Sequence, residues 1–378
     1  MKKKILVILG TRPEIIRLSC IIQKLDKFFL TIVLNTNQNF DKNLNKNFFK
    51  ELKINFPRYN LSYKKKHKTP MQFISTLILE TDKILEVEKP DAVLILGDTN
   101  SGLSAICAKR RKIPIFHIEA GNRSFDQRVP EEINRKLIDH ISDINMTYSD
   151  VAKLNLVKEN FDLDKIIKIG SPLNEVFKRY ENNIKNSLIL KKLNLIKKRY
   201  LLVSCHREEN IDDYKNLNNI LLALKYISKK YKIKIIFSTH PRTKSKLKKF
   251  NKILLKNINF YKPFSFFDYI NLQINSALTI SDSGSIVEES NILNFPAINL
   301  RNTTERQEGM EKGSVIMTSL DVNNIVESAK IILEKNKNEN LEKNANIHLD
   351  YLDSNVSEKV LIIIQSYINY INSRTWFK

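Results

Sequence analysis

Ile5-Leu6-Val7-Ile8-Leu9-Gly10-Thr11-Arg12-Pro13-Glu14 sets a pattern that the rest of the chain repeats. Five apolar residues in a row read as a strand buried on both faces, as in a parallel sheet covered by helices. Gly10 marks a turn, and Pro13 suits the start of a helix. Residues 31–34, 92–96, 114–118 and 143–148 read as further strands of the first half, and 200–204, 234–238, 277–280 and 297–300 as strands of the second. Helical patterns lie between them, at 71–88, 131–142, 217–230 and 286–293. Strands alternating with helices predict an α/β fold of parallel sheets built from βαβ units.

The 378 residues suit two domains. The turn Ile169-Gly170-Ser171-Pro172 places the boundary near Gly170, giving a first domain over 1–170 and a second over 171–355. Residues 181–198 are polar, Lys/Asn-rich and helical in character, and 335–344 read as a charged connector. The end of the chain, from 356 to 378, carries an amphipathic helix expected to pack back on the first domain.

Hydrophobic residues make up 42% of the chain and charged residues 28%, which excludes a largely disordered chain. The formal net charge of +22 invites a nucleic-acid reading. The distribution argues against it. Lysines scatter, as in Lys64-Lys65-Lys66, Lys191-Lys192 and 244–249, and no basic segment is interleaved with aromatics. Part of the excess suits an anionic substrate. No apolar run approaches the roughly 18 residues that span a bilayer. Met1-Lys2-Lys3-Lys4 has a faint signal-peptide look, but the apolar run that follows is too short, and Arg12, Glu14 and Arg17 interrupt it. A cytoplasmic protein is expected. Cys20, Cys107 and Cys205 form no CxxC pair and read as free thiols, and the six histidines have no metal-ligand spacing, so no metal site is expected.

The informative polar groups follow predicted strands. They are Gly10-Thr11-Arg12-Pro13-Glu14, Gly97-Asp98-Thr99-Asn100 and Glu119-Ala120-Gly121-Asn122-Arg123 in the first half. In the second they are His206-Arg207-Glu208-Glu209-Asn210, His240-Pro241-Arg242 and Asp282-Ser283-Gly284-Ser285. Doubly wound sheets bind ligands outside the carboxyl ends of their strands, so two such domains facing each other would gather all six clusters in one cleft. Each cluster has a plainer reading: Arg12-Pro13-Glu14 as a βα turn, Asp98 as a helix cap, Glu131 and Glu132 as partners of a helix dipole, His206 and His240 as structural histidines. Glu119 is harder to explain away, because a strand end is a buried place for a carboxylate. Neither GxGxxG nor GxxxxGK[ST] is present. Ser283-Gly284-Ser285 opening a helix is a natural site for a diphosphate. Glu288 or Glu289 could accept hydrogen bonds from ribose hydroxyls, and the two together read as a nucleotide site.

Seven motifs then recur in a known order: Gly10-Thr11-Arg12-Pro13-Glu14, Gly97-Asp98-Thr99, His117-Ile118-Glu119-Ala120-Gly121, Pro130-Glu131-Glu132-Ile133-Asn134-Arg135, His206-Arg207-Glu208-Glu209-Asn210, Asp282-Ser283-Gly284 and Thr303-Thr304-Glu305-Arg306. Over nearly its whole length the chain resembles the non-hydrolysing UDP-N-acetylglucosamine 2-epimerases. The resemblance implies a GT-B-type fold of two Rossmann-like, doubly wound domains facing a central cleft, a homodimer, a UDP-sugar substrate, and no metal or other cofactor. Gly121-Asn122-Arg123-Ser124-Phe125-Asp126-Gln127-Arg128-Val129-Pro130, with Ser238–Thr243 and Lys262–Tyr269, is similar to the subgroup that makes UDP-N-acetyl-L-fucosamine from UDP-2-acetamido-2,6-dideoxy-L-talose for surface polysaccharide. Arg17 stands where the family has Lys, Ser285 where it has a second Gly, and Gln38-Asn39 where some relatives carry an allosteric Gln-His pair; around the implied uracil pocket, Phe264 stands where relatives have a polar residue and Tyr269 where they have Phe.

The C2 proton of such a sugar is too weakly acidic for direct removal by a side chain. Breaking the C1–O bond to UDP acidifies it, which yields a 2-acetamidoglycal and UDP. Two acid–base groups are needed, one on each face. The resemblance implies Asp98 and Glu131 as the proton-transfer pair, with Glu119 positioning or sharing the role. It also implies His206 at the departing diphosphate, Arg12, Arg17 and Arg306 as charge partners, Arg135 and His240 in the substrate site, Ser283, Gly284 and Ser285 at phosphate, and Glu289 at ribose. The alternatives are a UDP-N-acetylglucosamine 2-epimerase proper, a hydrolysing epimerase, a GT-B glycosyltransferase and, remotely, a nucleic-acid-binding protein.

Overall fold

The computed structural model describes residues 2–38, 48–62, 69–338 and 348–378. Asn39 and Lys64-Lys65-Lys66 lie outside them. The chain forms two compact units, Met1–Arg179 with Leu349–Lys378, and Tyr180–His348.

The first unit holds seven strands: β1 (Lys4–Leu9), β2 (Leu30–Asn35), β3 (Tyr59–Asn60), β4 (Ala92–Leu96), β5 (Ile115–Ile118), β6 (Ile144–Thr147) and β7 (Ile166–Lys168). Their order is β3-β2-β1-β4-β5-β6-β7 and every pairing is parallel. The second holds β8 (Tyr200–Ser204), β9 (Lys234–Ser238), β10 (Ile258–Tyr261), β11 (Leu278–Ser281), β12 (Ala297–Leu300) and β13 (Val315–Thr318), in the order β10-β9-β8-β11-β12-β13, again all parallel. Two Rossmann-like doubly wound sheets of this kind make the GT-B type of α/β architecture. The strand order reverses between β1 and β4 in the first unit and between β8 and β11 in the second, and a doubly wound sheet presents its ligand crevice at such a point.

The central strands are buried on both faces, as their unbroken apolar runs require. Leu6, Ile8, Val93 and Ile95 join Leu77 and Leu85 in one core; Leu201, Val203, Ile280 and Ile298 join Leu217, Leu221 and Leu224 in another. Each such side chain contributes about 1.5–3 kcal/mol of burial. The helix Arg12–Phe28 starts on a capping box: Glu14 accepts from the backbone N–H of Gly10 at 2.6 Å and of Thr11 at 2.7 Å. No helix among the described residues is long and apolar enough to cross a membrane.

The division expected at Gly170 falls nine residues later, after Arg179. The helix Pro172–Arg179 buries Leu173, Val176 and Phe177 and packs on the helix Arg12–Phe28, so it belongs to the first unit. Residues 349–355 return with it. Asp350 O accepts from Ser171 N at 3.2 Å, and Asn174 Nδ2 donates to Leu352 O at 2.5 Å. The helix Val356–Trp376 also packs on Arg12–Phe28, with Lys24 paired to Glu358. The polar stretch 181–198 forms two short helices, Glu181–Lys185 and Ile189–Lys192, rather than one. The expected connector at 335–344 begins inside the helix Val322–Asn338, and 339–344 lie outside the described residues.

Candidate active site

At the switch point of the first unit, β4 and β5 end side by side, with Leu96 opposite Ile118. Gly97 N donates to Ile118 O at 2.9 Å, so Asp98 and Glu119 leave neighbouring strand ends together. Gly97 has a φ of 75°, and a Cβ built on it would stand 4.0 Å from Glu119 Oε2, which places that carboxylate against the β4 turn. Arg135, from the helix Pro130–Ile141, reaches Asp98 Oδ2 with Nη2 at 2.5 Å and Nε at 3.2 Å. Asn134 Nδ2 donates to Asp98 O at 3.0 Å. Arg17 brings its Nη1 to 3.8 Å from Glu119 Oε2. Glu131 sits part-exposed in the first turn of the helix Pro130–Ile141. Arg12 lies half-buried over the ring of Phe48.

Behind these groups stands a buried polar layer. Glu132 accepts from Ser124 N at 2.9 Å, Ser124 Oγ at 2.9 Å, Phe125 N at 3.1 Å and Arg135 Nη1 at 2.6 Å. Burial opposes its charge, but these donors outweigh it and hold the carboxyl below its usual range. Phe125 takes a φ of 56° with its ring exposed, a conformation that the Glu132 clamp sustains. Asp139 faces His117 and Arg123, which also keep its fully buried carboxyl ionised against the cost of burial. Glu14 differs. Burial pushes it up from 4.5 to about 7, even though it accepts from Thr99 Oγ1 at 2.5 Å and from Gly10 and Thr11. It ties the β1 turn to the β4 turn beside Asp98.

At the switch point of the second unit, fully buried Asp282 organises the loop after β8. Its Oδ2 accepts from His206 N and Arg207 N, each at 2.8 Å, from Cys205 Sγ at 3.1 Å and from Asn210 Nδ2 at 3.2 Å. Its Oδ1 faces His206 Nδ1 at 3.1 Å, and the His206 ring remains part-exposed. Burial would raise the Asp282 carboxyl; His206 and the backbone donors drive it far below the usual range instead. The His240 ring stands 6.0 Å from that of His206. The turn Ser283-Gly284-Ser285 precedes the helix Ile286–Leu293, with the two hydroxyls 2.9 Å apart. A Cβ on Gly284 would lie 2.1 Å from Glu305 Oε1, so that side chain would have to shift. Glu289 accepts from Gln273 Nε2 at 2.6 Å.

The expected residues therefore gather in two groups. Arg12, Arg17, Asp98, Glu119 and Arg135 stand at or beside the carboxyl ends of β1, β4 and β5, and Glu131 lies one turn before Arg135 on the helix Pro130–Ile141. His206, His240, Ser283, Gly284, Ser285 and Glu289 stand after β8, β9 and β11. Arg306 is buried, its Nη1 3.3 Å from Glu288 Oε2. Tyr269 packs with Phe264 against Tyr200, Leu202, Ile236 and Leu272. Gln38 Oε1 accepts from Ser101 N at 3.2 Å, one helix turn from Asp98. Sequence reasoning missed the supporting roles of Glu132, Asp139 and Asp282. Glu132, Arg135 and Asp139 are spaced i, i+3 and i+7, a charged stripe on one helix face that could have flagged the first two carboxylates.

A family model described as UDP-N-acetylglucosamine 2-epimerase matches residues 23–365. The UDP-N-acetylglucosamine 2-epimerase of Methanocaldococcus jannaschii is 38% identical over 344 residues, covering 89% of this chain and 93% of that protein. A solved structure of UDP-N-acetylglucosamine 2-epimerase from Rickettsia bellii shares 45% identity at a TM-score of 0.91, with 100% of both chains covered. The Methanocaldococcus jannaschii enzyme solved in complex with UDP-GlcNAc and UDP is 35% identical at a TM-score of 0.87, over 97% of this chain and 100% of that one. Sheet order, the polar clusters at both switch points and a match over most of the sequence all agree: this chain is an enzyme of the UDP-N-acetylglucosamine 2-epimerase family.

Proposed function

We propose that the protein inverts C2 of a UDP-2-acetamido sugar by eliminating and re-adding UDP. The observation that carries this reading is the pair of carboxylates, Asp98 and Glu119, leaving adjacent strand ends under Arg135 and Arg17. One carboxylate takes the C2 proton as the C1–O electron pair leaves with the β-phosphate oxygen. The 2-acetamidoglycal then receives a proton on its opposite face, and the same UDP oxygen closes on C1. Asp98 and Glu131 form the proton-transfer pair in this reading, and Glu119 positions the sugar or shares the transfer. His206, oriented by Asp282, stabilises the departing diphosphate; Ser283, Gly284 and Ser285 hold phosphate and Glu289 the ribose. Arg12 and Arg17 supply positive charge, and Arg306, held by Glu288, braces its segment. Water must be kept from the intermediate, since trapping it would release free sugar.

The substrate we favour is UDP-2-acetamido-2,6-dideoxy-L-talose, converted to UDP-N-acetyl-L-fucosamine as a surface-polysaccharide precursor by a cytoplasmic homodimer. The support is the resemblance of the Gly121–Pro130 segment, with Ser238–Thr243 and Lys262–Tyr269, to that subgroup. A second reading, UDP-N-acetyl-D-glucosamine and its D-manno epimer, draws on the names of the relatives from Methanocaldococcus jannaschii and Rickettsia bellii. Purified protein assayed against the two compounds side by side separates them. Conversion of the L-talo compound at a far higher kcat/KM is expected; preference for UDP-N-acetyl-D-glucosamine would overturn the L-talo assignment.

A further inference from the structure

We propose that Asp139 is a positioning residue that sets the spacing between Asp98 and Glu119. The proposal rests on the reading above, in which both carboxylates act on the sugar. Glu119 has a φ of 72°, a left-handed conformation that a residue with a side chain keeps only where its surroundings impose it. Its own N–H and that of Ala120 both reach Met146 O on β6, at 3.0 and 3.3 Å.

Asp139 grips the same turn from either side. Its Oδ1 lies 2.8 Å from His117 Nδ1, two residues before Glu119, and its Oδ2 accepts from Gly121 N at 3.2 Å, two residues after. Arg123 Nη1 pairs with that second oxygen at 2.7 Å and is itself braced by Glu159. His117 carries the grip to the neighbouring strand, because its Nε2 lies 2.9 Å from the carbonyl oxygen of Gly97, the residue before Asp98. His117, Arg123 and Asp139 are all fully buried, so water cannot substitute for any of these contacts. One carboxylate thereby joins the backbone on both sides of Glu119 to the backbone that presents Asp98. Asp139 is itself fully buried.

The test is a double-mutant cycle on the full chain with the UDP-sugar it converts. Asp139→Asn is expected to lower kcat about 100-fold with KM and UDP affinity unchanged, as a small misplacement of reacting groups would. Added to Glu119→Gln, it is expected to cause a clearly smaller loss, because one of the two groups it positions is already gone. Equal losses in both backgrounds would mark a general structural lesion and overturn the assignment. Wild-type turnover in Glu119→Gln alone would overturn the reading of Glu119, and this assignment with it. Should Asp139→Asn fail to fold, His117→Gln cuts the link to Gly97 while leaving the Asp139–Arg123 pair, and the same non-additivity is expected of it.

Discussion

Arg135 Nη2 stands 2.5 Å from Asp98 Oδ2 while its Nη1 stands 2.6 Å from buried Glu132. One guanidinium thus orients a proposed proton-transfer group and neutralises the carboxylate that clamps the Ser124-Phe125 loop. Arg135→Gln would leave buried Glu132 without its cationic partner. A stability loss of about 3 kcal/mol is expected from urea unfolding. Turnover should fall by about 10-fold or more, because Asp98 loses its orienting partner. Near-wild-type values for both would remove Arg135 from the account.

Glu14 shapes the pH dependence of stability. Its folded pKa is raised from 4.5 to about 7, chiefly by burial, so the native state holds its proton where the unfolded chain has released it. Its contribution is fully present below about pH 4.5 and is lost as pH rises toward 7, by an amount on the order of 3 kcal/mol. Glu14→Gln, a neutral isostere, should flatten the stability profile between those values. Unfolding free energies measured for both proteins from pH 4 to 8 would show parallel profiles if the idea is wrong.

Asp282 works in the opposite sense. Its folded pKa is depressed, so its stabilisation exists above the ordinary carboxylate value of about 4 and is lost as pH falls through and below it. Asp282→Asn should be markedly less stable than wild type at neutral pH, with the gap narrowing under acid. Thermal melts at pH 7 and at pH 3 read this directly, and a gap that widens under acid would contradict it.

Gly97 and Gly121 share a left-handed backbone yet differ in surroundings. At Gly97 an added Cβ meets only Glu119 Oε2, at 4.0 Å; at Gly121 it would lie 2.2 Å from the backbone oxygen of Ala152. Gly97→Ala should therefore cost about 1 kcal/mol of conformational strain. Gly121→Ala should cost about 3 kcal/mol or more, since main chain cannot move aside as a side chain can. Equal chemical denaturation midpoints for the two variants would show that packing at Gly121 does not matter.

The buried strands were the legible part of this fold. β1, β4, β8 and β12 have both faces covered, so their apolar runs stand out. β3, β7, β10 and β13 did not, and each lies at a sheet edge, where one side needs no apolar cover: Tyr59-Asn60 is two residues long, and Asn259 and Tyr261 in β10 keep part of their surface exposed. The boundary was misplaced because Gly170 is a genuine turn, while the apolar face of Pro172–Arg179 carries no sign of which unit it covers. The polar clusters could be read because they follow strands. Which carboxylates face inward could not. Glu131 and Glu132 are adjacent acids in one helix turn, and only the packing of that helix sends Glu132 inward to Ser124 and leaves Glu131 part-exposed. Asp139 resembles any helical acid until His117 and Arg123 are seen against it.

Proton exchange at C2 tests the central claim most directly. The protein is incubated in D₂O with its UDP-sugar, and the epimeric product is read by mass and NMR. One deuterium at C2 of each product molecule is predicted, since the proton added to the glycal comes from a carboxyl group that exchanges with solvent. Product that keeps the original hydrogen at C2 would contradict elimination and re-addition.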